Sequence, residues 1–304
     1  MIITTTRLVL HLDQKLIFAP LGDIHHNSGG HDRSKFIEIV EWISRTSLRK
    51  DRLVRVPLMG DELDTLSRGE RKGYHGAGLH SGTRSWLEKK MCEDVTAFLK
   101  DIAPICHLIP HVIAGNHNFT FQESSSPAHY IGKNVSQIIA QTLGVPYLGV
   151  CGVNILEIMP HERTTAYHVF KVFMHHGFGS ATTKGGSISQ LIKLKEKFPM
   201  CNLYIMGHNH VKIGTTTEGI DFRKNYKTSA WEMCGVVQGF VRSASFLKGY
   251  IPGEAVSGDT GSYVEEGCMN PAGLGVVTAN LRWQMTKDGK GHLRPTGFHL
   301  HTQE

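Results

Sequence analysis

Five short polar clusters, each directly after an apolar run, constrain the fold of this chain most strongly. They read, in order, Asp23-x-His25, Gly60-Asp61, Gly115-Asn116-His117, His175-His176-Gly177 and Gly207-His208-Asn209-His210. Short apolar runs that end at turn-forming residues are typical of buried strands. Ligand sites of open α/β sheets lie beyond the carboxyl ends of the strands. We therefore expect the five clusters to converge in space, although they are distant in sequence.

The periodicity between the clusters predicts alternating strands and helices, and therefore an α/β architecture. An opening hairpin is expected, formed by Arg7–Leu12 and Lys15–Leu21 and joined at Asp13-Gln14. The first expected helix is capped by Asp32 or Ser34, and the next lie at Trp86–Ile102, Asn134–Leu143 and Ser187–Phe198. Further expected strands are Leu53–Met59, His111–Ala114, Val153–Met159, Tyr167–Met174, Leu203–Met206, Phe240–Phe246 and Leu274–Trp283.

Length and composition favour one folded domain over residues 1–304. Hydrophobic residues make up 40% of the chain and charged residues 20%, so a sizeable core can be buried. The portion from about 211 to 304 is richer in glycine, threonine and strand-like runs. We expect this portion to complete the fold.

Charge and cysteine usage narrow the class of protein. A formal net charge of +6 suits a phosphate-bearing partner. The six cysteines form no C-x-x-C pair, which favours reduced thiols of a cytoplasmic protein, or of a host-cell cytoplasm if the chain is phage-encoded. No secretory leader and no apolar run of about 18 residues is found, so no membrane segment is expected. The oligomeric state stays open.

The residue types of the five clusters suit a pair of divalent cations. Together they offer two carboxylates, two carboxamides and several imidazoles, which favours Mn²⁺, Fe or Zn²⁺ over Ca²⁺. One carboxylate can bridge two cations, and a water shared by both then loses a proton easily. The resulting hydroxide can attack an anionic phosphate ester because the cations relieve the charge repulsion. The sequence predicts a hydrolase with two divalent metal ions, with manganese expected and iron or zinc as alternatives.

The ordered set D-x-H, G-D, G-N-H, H and G-H-x-H resembles the calcineurin-like metallophosphoesterase superfamily, from about Leu21 to His210. The resemblance implies a pair of packed β-sheets flanked by helices, a two-sheet sandwich of αββα type. It implies that one metal is bound by Asp23, His25 and His210. It implies that the other is bound by Asn116, His176 and His208, and that Asp61 bridges the two. His117 would face the substrate and act as the catalytic acid or hold the phosphate.

Three points within this pattern stay open. Adjacent residues at a strand end point to opposite sides, so His175 and His176 should not bind the same metal. The His-Gly pairing favours His176, with His175 as the alternative ligand. The superfamily often carries an acidic residue after G-N-H to orient the histidine, but this chain has Asn118. Asp64 is interpreted as an outer contact of the site or a helix cap rather than as a ligand.

Two further segments are informative: one is a candidate for substrate contact, and the other resembles a group of known proteins. A polar, glycine-rich loop, residues 68–83, follows the Gly60-Asp61 cluster closely and is expected to border the metals. It would offer Arg71, Lys72 and Tyr74 to an anionic substrate. The segment Ser243-Ala244-Ser245-Phe246, followed by Tyr250, is loosely similar to a poorly characterised group of metallophosphoesterases common in phage genomes.

These features predict a metal-dependent phosphoric ester hydrolase that acts on phosphodiesters, with DNA, RNA or a nucleotide as candidate substrates. The first alternative is a phosphomonoesterase that acts on a phosphoprotein or a small metabolite. The second alternative is a non-catalytic scaffold that keeps the fold and binds a protein partner. The metal content of the purified protein separates the scaffold from the two enzymes.

Overall fold

The computed structural model describes residues 1–66, 80–122, 127–162, 167–179, 181, 183–224, 228–250, 273–285 and 291–301. The strands of this described part are β1 (Ile2–Val9), β2 (Lys15–Phe18), β3 (Arg52–Arg55), β4 (Cys151–Met159), β5 (His168–His175), β6 (Leu203–Met206), β7 (Lys212–Lys224), β8 (Trp231–Ser243), β9 (Val276–Met285) and β10 (Gly291–His301). Its α-helices are α1 (Arg33–Ser47), α2 (Ser81–Ile102), α3 (Val135–Leu143) and α4 (Lys184–Lys197). Short 3₁₀-helices lie at Ala103–Leu108 and Ala128–Tyr130.

The strands form two mixed sheets. The six-stranded sheet has the order β1-β4-β5-β6-β8-β7, and the four-stranded sheet has the order β10-β9-β2-β3. Single parallel bridges continue the smaller sheet from Leu21 to Leu58, from Leu58 to Val112 and from Val112 to Tyr147. The segments that leave these bridges carry the first three polar clusters, whereas β5 and β6 lead into the last two. Both sheets therefore deliver clusters to the site.

Alternation along the strands shows how the layers pack. On β2, Leu16 and Phe18 contact the core between the two sheets, whereas Ile17 faces the core beneath α1, α2 and α3. On β6, Leu203 and Ile205 face the core between the sheets, whereas Tyr204 and Met206 pack with residues of α4. The layers are helices, sheet, sheet and helix, which confirms the predicted αββα sandwich.

Three of the strand predictions are wrong, for identifiable reasons. The predicted opening hairpin does not form, because β1 pairs with β4 in the larger sheet and β2 pairs with β3 and β9 in the smaller one. Leu8 and Leu16 instead bury their side chains in the same core between the sheets. The predicted strand His111–Ala114 is reduced to a bridge at Val112, and β3 ends at Arg55, before the predicted Met59. Pro110 and Pro57 lie at these places and lack the amide hydrogen that a ladder needs.

Local capping explains the helix boundaries. Asp32 caps α1 by accepting a hydrogen bond from the Lys35 amide at 3.0 Å, as predicted. Asn134 forms a capping box at the start of α3, and Gly144 ends that helix in the left-handed conformation with φ 67°. Helix α2 begins at Ser81 rather than at Trp86. Among the described helices, none combines the length and the apolar character that crossing a bilayer requires.

Candidate metal centre

The polar clusters meet where the two sheets end, and hydrogen bonds from backbone amides to carboxylate side chains join them. The amide of His208 donates to Asp23 Oδ2 at 2.8 Å, which links the first cluster to the fifth. The amide of His117 donates to Asp61 Oδ1 at 2.8 Å, which links the second cluster to the third. The predicted convergence is therefore present in the structure.

Five of the predicted ligands have a left-handed backbone conformation that residues other than glycine rarely adopt. Their φ angles are positive: 49° at Asp23, 49° at His25, 51° at Asp61, 75° at His208 and 55° at His210. Non-glycine residues adopt this region rarely, and such residues concentrate at active sites and ligand clamps. The surrounding structure thus holds these side chains in place at the expense of backbone strain.

Two glycines allow the clusters to approach one another. A Cβ atom on Gly115 would lie 1.8 Å from Asp61 Oδ1, so a larger residue at this position would displace the carboxylate. Gly60 has φ 92°, and a Cβ atom there would lie 2.6 Å from the Gly115 amide nitrogen. Gly115 is needed for space alone, whereas Gly60 is needed for both space and conformation.

The first group of candidate ligands consists of Asp23, His25 and His210. One potential ligand atom from each lies within 4.8 Å of the others. Asp23 Oδ1 and His25 Nε2 are buried and make no hydrogen bond in the described part of the chain. Buried polar atoms are normally satisfied, so this pair indicates room for a partner that binds both. A divalent cation fits a carboxylate oxygen and two imidazoles at these positions.

The second group consists of Asp61, His176 and His208, and the Asn116 side chain contacts both of these histidines. His176 Nδ1 lies 2.8 Å from the Met59 carbonyl oxygen, which can only accept, so Nδ1 carries a hydrogen. In neutral His176, Nε2 then directs a lone pair toward Asn116 Oδ1 at 2.7 Å and Asp61 Oδ2 at 3.2 Å. Lone pairs that face one another repel unless a proton or a cation lies between them. Histidine ligands commonly donate their second N–H to a backbone carbonyl in this way.

The pKa values describe the same charge balance. Burial would lower the pKa of His176, but the carboxylates of Asp61 and Asp23 raise it to about 9. Burial raises the pKa of Asp23 to about 6, and burial lowers the pKa of His210 to about 3. Burial would raise the pKa of Asp61, but the charge of His176 holds it below its ordinary value. A proton on His176 thus balances the buried carboxylates, and a divalent cation can take its place.

The two ligand groups and the αββα layers occur in the order that the sequence resemblance implies. This fold and this motif order are the ones that the sequence resemblance to the calcineurin-like metallophosphoesterases implies. Within this site, burial lowers the pKa values of His208 and His210, and the carboxylate of Asp61 opposes that shift at both histidines.

Comparisons with known proteins add weak likenesses. No sequence-family profile and no curated protein matches the chain. Among solved structures, a Staphylococcus aureus protein assigned as a 5′-nucleotidase, in complex with α-ketoglutarate, is 9% identical with a TM-score of 0.44. The match covers 94% of this chain but 54% of that one, so the chain spans about half of that protein's length.

Two shorter solved structures are also similar. Vps29 of Entamoeba histolytica, complexed with Zn²⁺, is 10% identical with a TM-score of 0.34, over 91% of this chain and 97% of that one. A conserved Streptococcus pneumoniae protein, named as a predicted phosphoesterase, is 11% identical with a TM-score of 0.29, over 94% and 96%. At these scores the site itself carries the functional reasoning.

Asp64, rather than Asn118, is the group that faces His117. Asp64 Oδ1 lies 2.8 Å from His117 Nδ1 and 3.4 Å from His25 Nδ1. Asn118 Nδ2 lies 3.5 Å from the Gly115 carbonyl oxygen. Burial would lower the pKa of His117, but Asp64 and Asp61 raise it above its ordinary value. The signal for this contact is the G-D-x-x-D spacing from Gly60 to Asp64.

Ser243 and Ser245, at the end of β8 and just after it, also contact the site, and the sequence analysis did not predict these contacts. Ser245 Oγ donates to the Asp23 carbonyl oxygen at 2.8 Å, and Ser243 Oγ lies 3.5 Å from Asp23 Oδ2.

The buried carboxyl of Glu62 accepts hydrogen bonds from the Gly60 amide at 3.2 Å and from Ser136 Oγ at 2.9 Å. Burial raises the pKa of Glu62 to about 7. The proposed substrate contacts Arg71, Lys72 and Tyr74 lie outside the described residues.

The structure separates the two adjacent histidines. His176 belongs to the second ligand group, whereas His175 Nδ1 accepts a hydrogen bond from the Gly177 amide at 2.8 Å. His175 belongs to none of the groups of potential ligands found among the described residues. The two neighbours thus provide a matched pair for a metal-binding test.

We expect His176→Ala to lose bound metal and His175→Ala to retain it. The first change removes a buried nitrogen from the second group, and the second change removes a side chain that contacts its own turn. Elemental analysis of both purified variants measures the difference, with circular dichroism to establish that each is folded. Metal loss confined to His175→Ala would reverse the assignment of the doublet.

Proposed function

We propose that this protein is a two-metal phosphoesterase that hydrolyses phosphodiesters, either in nucleic acid or in a nucleotide. The observation that carries the proposal is the pair of buried ligand groups beside Asp61. Each group brings carboxylate oxygen and imidazole nitrogen atoms within 4.8 Å of one another. Such groups repel or stay unsatisfied unless a proton or a cation lies between them, and the αββα fold brings both groups to one place.

Each predicted ligand has a proposed position in this centre. Asp23, His25 and His210 would hold one cation, and Asn116, His176 and His208 would hold the other. Asp61 would be shared, which agrees with its effect on histidines of both groups. Two divalent cations would supply charge screening of the phosphate and a lower pKa for a shared water molecule. The nitrogen and oxygen donors of these two groups suit Mn²⁺, Fe or Zn²⁺, and of these we propose manganese, with iron or zinc as alternatives.

His117 is proposed to give a proton to the leaving oxygen. Its side chain is 29% exposed, whereas the His25 and His176 side chains are each 3% exposed, so substrate can reach it from solvent. Asp64 and Asp61 raise its pKa, which keeps the ring protonated at a higher pH than an ordinary histidine. A protonated imidazole near neutral pH is suited to general acid catalysis.

We expect Asp64→Asn to move the alkaline limb of the pH–rate profile to lower pH. The acid must be protonated to act, so activity falls as pH rises through the pKa of His117. Asp64 raises that pKa, and removal of its charge lowers it. Near neutral pH the loss in kcat/KM should be about 10- to 100-fold, the range for outer partners of site histidines. Profiles measured with a poor leaving group report the shift, and an unmoved or upward-shifted limb contradicts this role for Asp64.

The net charge supports a substrate that carries many phosphates, such as a nucleic acid. The chain carries a net charge of +6, which favours anionic partners. Arg71, Lys72 and Tyr74 remain proposed contacts to a polynucleotide or a nucleotide. A nuclease would use them along an extended backbone, where each phosphate contact adds to the salt dependence of binding.

A substrate panel tests the proposed function. Bis-p-nitrophenyl phosphate, p-nitrophenyl phosphate and labelled DNA would each be incubated with Mn²⁺, Zn²⁺, Mg²⁺ or Fe²⁺. We expect hydrolysis of the diester or of DNA with Mn²⁺, and none in a metal-free, chelator-treated sample. Faster hydrolysis of the monoester would indicate the phosphomonoesterase alternative. A protein that binds fewer than two metals and hydrolyses nothing would be the scaffold.

A further inference from the structure

A buried arginine lies behind the turn that carries His208 and His210. Arg242, near the end of β8, is 1% exposed and is among the largest fully buried side chains of the described residues. Its Nη1 donates to the Gly207 carbonyl oxygen at 2.7 Å, and its Nη2 donates to the Ser187 carbonyl oxygen at 3.1 Å and to Gln190 Oε1 at 2.9 Å. Burial lowers the pKa of Arg242 to about 10, which leaves it charged at neutral pH.

This charge is buried without a direct carboxylate contact in the described part of the chain. The acceptors of the guanidinium are two backbone carbonyl oxygens and one side-chain amide oxygen. Burial of a charged group is unfavourable, and apolar side chains of similar volume often replace buried ions without loss of stability. The rigid, forked arrangement of donors is what an arginine offers and an apolar residue lacks.

Gly207 is the peptide at which the guanidinium meets both ligand-bearing loops. The Gly207 amide donates to the His176 carbonyl oxygen at 2.7 Å, while its own carbonyl oxygen accepts from Arg242. The next amide, of His208, donates to Asp23 Oδ2. His208 has φ 75°, so the hydrogen bonds of this segment hold a strained conformation.

Gln190 of α4 extends the contact to the other side of the turn. Its Oε1 accepts from Arg242 Nη2 at 2.9 Å and from Asn209 Nδ2 at 2.8 Å. Asn209 lies between His208 and His210, one from each ligand group. One amide oxygen therefore connects the guanidinium to the residue between two candidate ligands.

We propose that Arg242 is a positioning residue of the metal centre, which holds the Gly207–His210 turn in its ligand-binding conformation through Gly207 and Gln190. This inference rests on the proposed function, because the turn needs this conformation in order to present both histidines to cations. The effect should appear in metal affinity itself, independently of turnover.

The test compares Mn²⁺ binding in three single variants, one double variant and one control. Arg242→Met removes the charge and the donors, Arg242→Lys keeps the charge without the fork, and Gln190→Met removes the shared acceptor. The matched control is Gln238→Leu, on the same strand. Gln238 Nε2 donates to the carbonyl oxygens of Cys201 at 2.7 Å and Pro199 at 3.1 Å, before the start of β6, whereas Arg242 acts after its end.

Titration with Mn²⁺, followed by the electron paramagnetic resonance of free Mn²⁺, gives the dissociation constants. We expect an increase of about 10- to 100-fold in Arg242→Met and Gln190→Met, the range for outer partners of metal ligands. Arg242→Lys should show a smaller increase. Because the two residues act together, Arg242→Met/Gln190→Met should bind hardly more weakly than the worse single variant. Gln238→Leu should lower Tm and leave Mn²⁺ binding unchanged.

Two results would overturn the inference alone. One is wild-type Mn²⁺ affinity in folded Arg242→Lys and Gln190→Met. These two variants also provide the test if Arg242→Met does not fold. The other is an equal loss of affinity in Gln238→Leu, since that would reflect general loosening of the β6 region. If the wild-type protein binds no Mn²⁺, Zn²⁺ or Fe²⁺, the proposed function fails and this inference fails with it.

Discussion

Asp61→Asn should remove nearly all hydrolytic activity and leave fewer than two equivalents of metal bound. Asp61 Oδ1 accepts the His117 amide at 2.8 Å, and Asp61 Oδ2 lies 3.2 Å from His176 Nε2. An asparagine keeps the shape but loses the charge that acts on both ligand groups. We expect the loss in turnover to exceed the about 10- to 100-fold that is typical of outer partners of metal ligands.

Elemental analysis and turnover of bis-p-nitrophenyl phosphate measure the two effects together. Asp51→Asn is a matched control, because Asp51 is 45% exposed and pairs with Arg49 on the surface. The control should keep both metals and full activity. Two bound metals with wild-type turnover in Asp61→Asn would remove Asp61 from the shared position.

His117→Ala should keep its metals and lose about 10²- to 10⁴-fold in turnover, the usual range for a positioned acid or base. The imidazole is removed while the His117 amide still holds Asp61 Oδ1. The loss should be large for a poor leaving group and small for p-nitrophenolate, which needs no proton. Rates for a series of leaving groups, with metal analysis of the same sample, report both features.

The contrary results each point to another role. His25, Asp64 and His117 also form a close group of potential ligands, so loss of metal in His117→Ala would make His117 a ligand. An equal loss of rate for all leaving groups would indicate that His117 positions the phosphate. His129→Ala, at an exposed position in a 3₁₀-helix, is the control and should behave as wild type.

The layers and the place of the site could be predicted because their signals are local. An apolar run shows a buried strand, and the polar cluster after it shows where the strand ends. Which strands pair is decided by contacts far along the chain. The turn at Asp13-Gln14 looks like a hairpin turn, yet the β1 residue Leu8 pairs with Ile158, 150 positions away. Strand β1 therefore lies in the six-stranded sheet, whereas β2 lies in the four-stranded sheet.

The same distinction separates the ligands from the groups that support them. Asp23 and Asp61 stand out because each follows an apolar run directly. Arg242 and Ser245 lie more than 200 residues after Asp23 in the sequence, and a polar residue near the end of a strand has no local mark of what it will contact. Asp64 was intermediate, since its spacing from Asp61 was visible but its partner His117 was not.

Five proposed ligands have a left-handed backbone, at Asp23, His25, Asp61, His208 and His210. At these positions, metal binding and thermal stability of the fold place opposite demands on the choice of residue. Strained residues of this kind each cost on the order of 1–3 kcal/mol of folding free energy. Glycine adopts the same φ values without that strain, so an inactive chain with glycine at one of these positions gives up a ligand and relaxes at the same time. Selection for heat resistance alone would therefore tend to replace these ligands with glycine and remove the site. A search for a more stable active form should leave these five positions fixed.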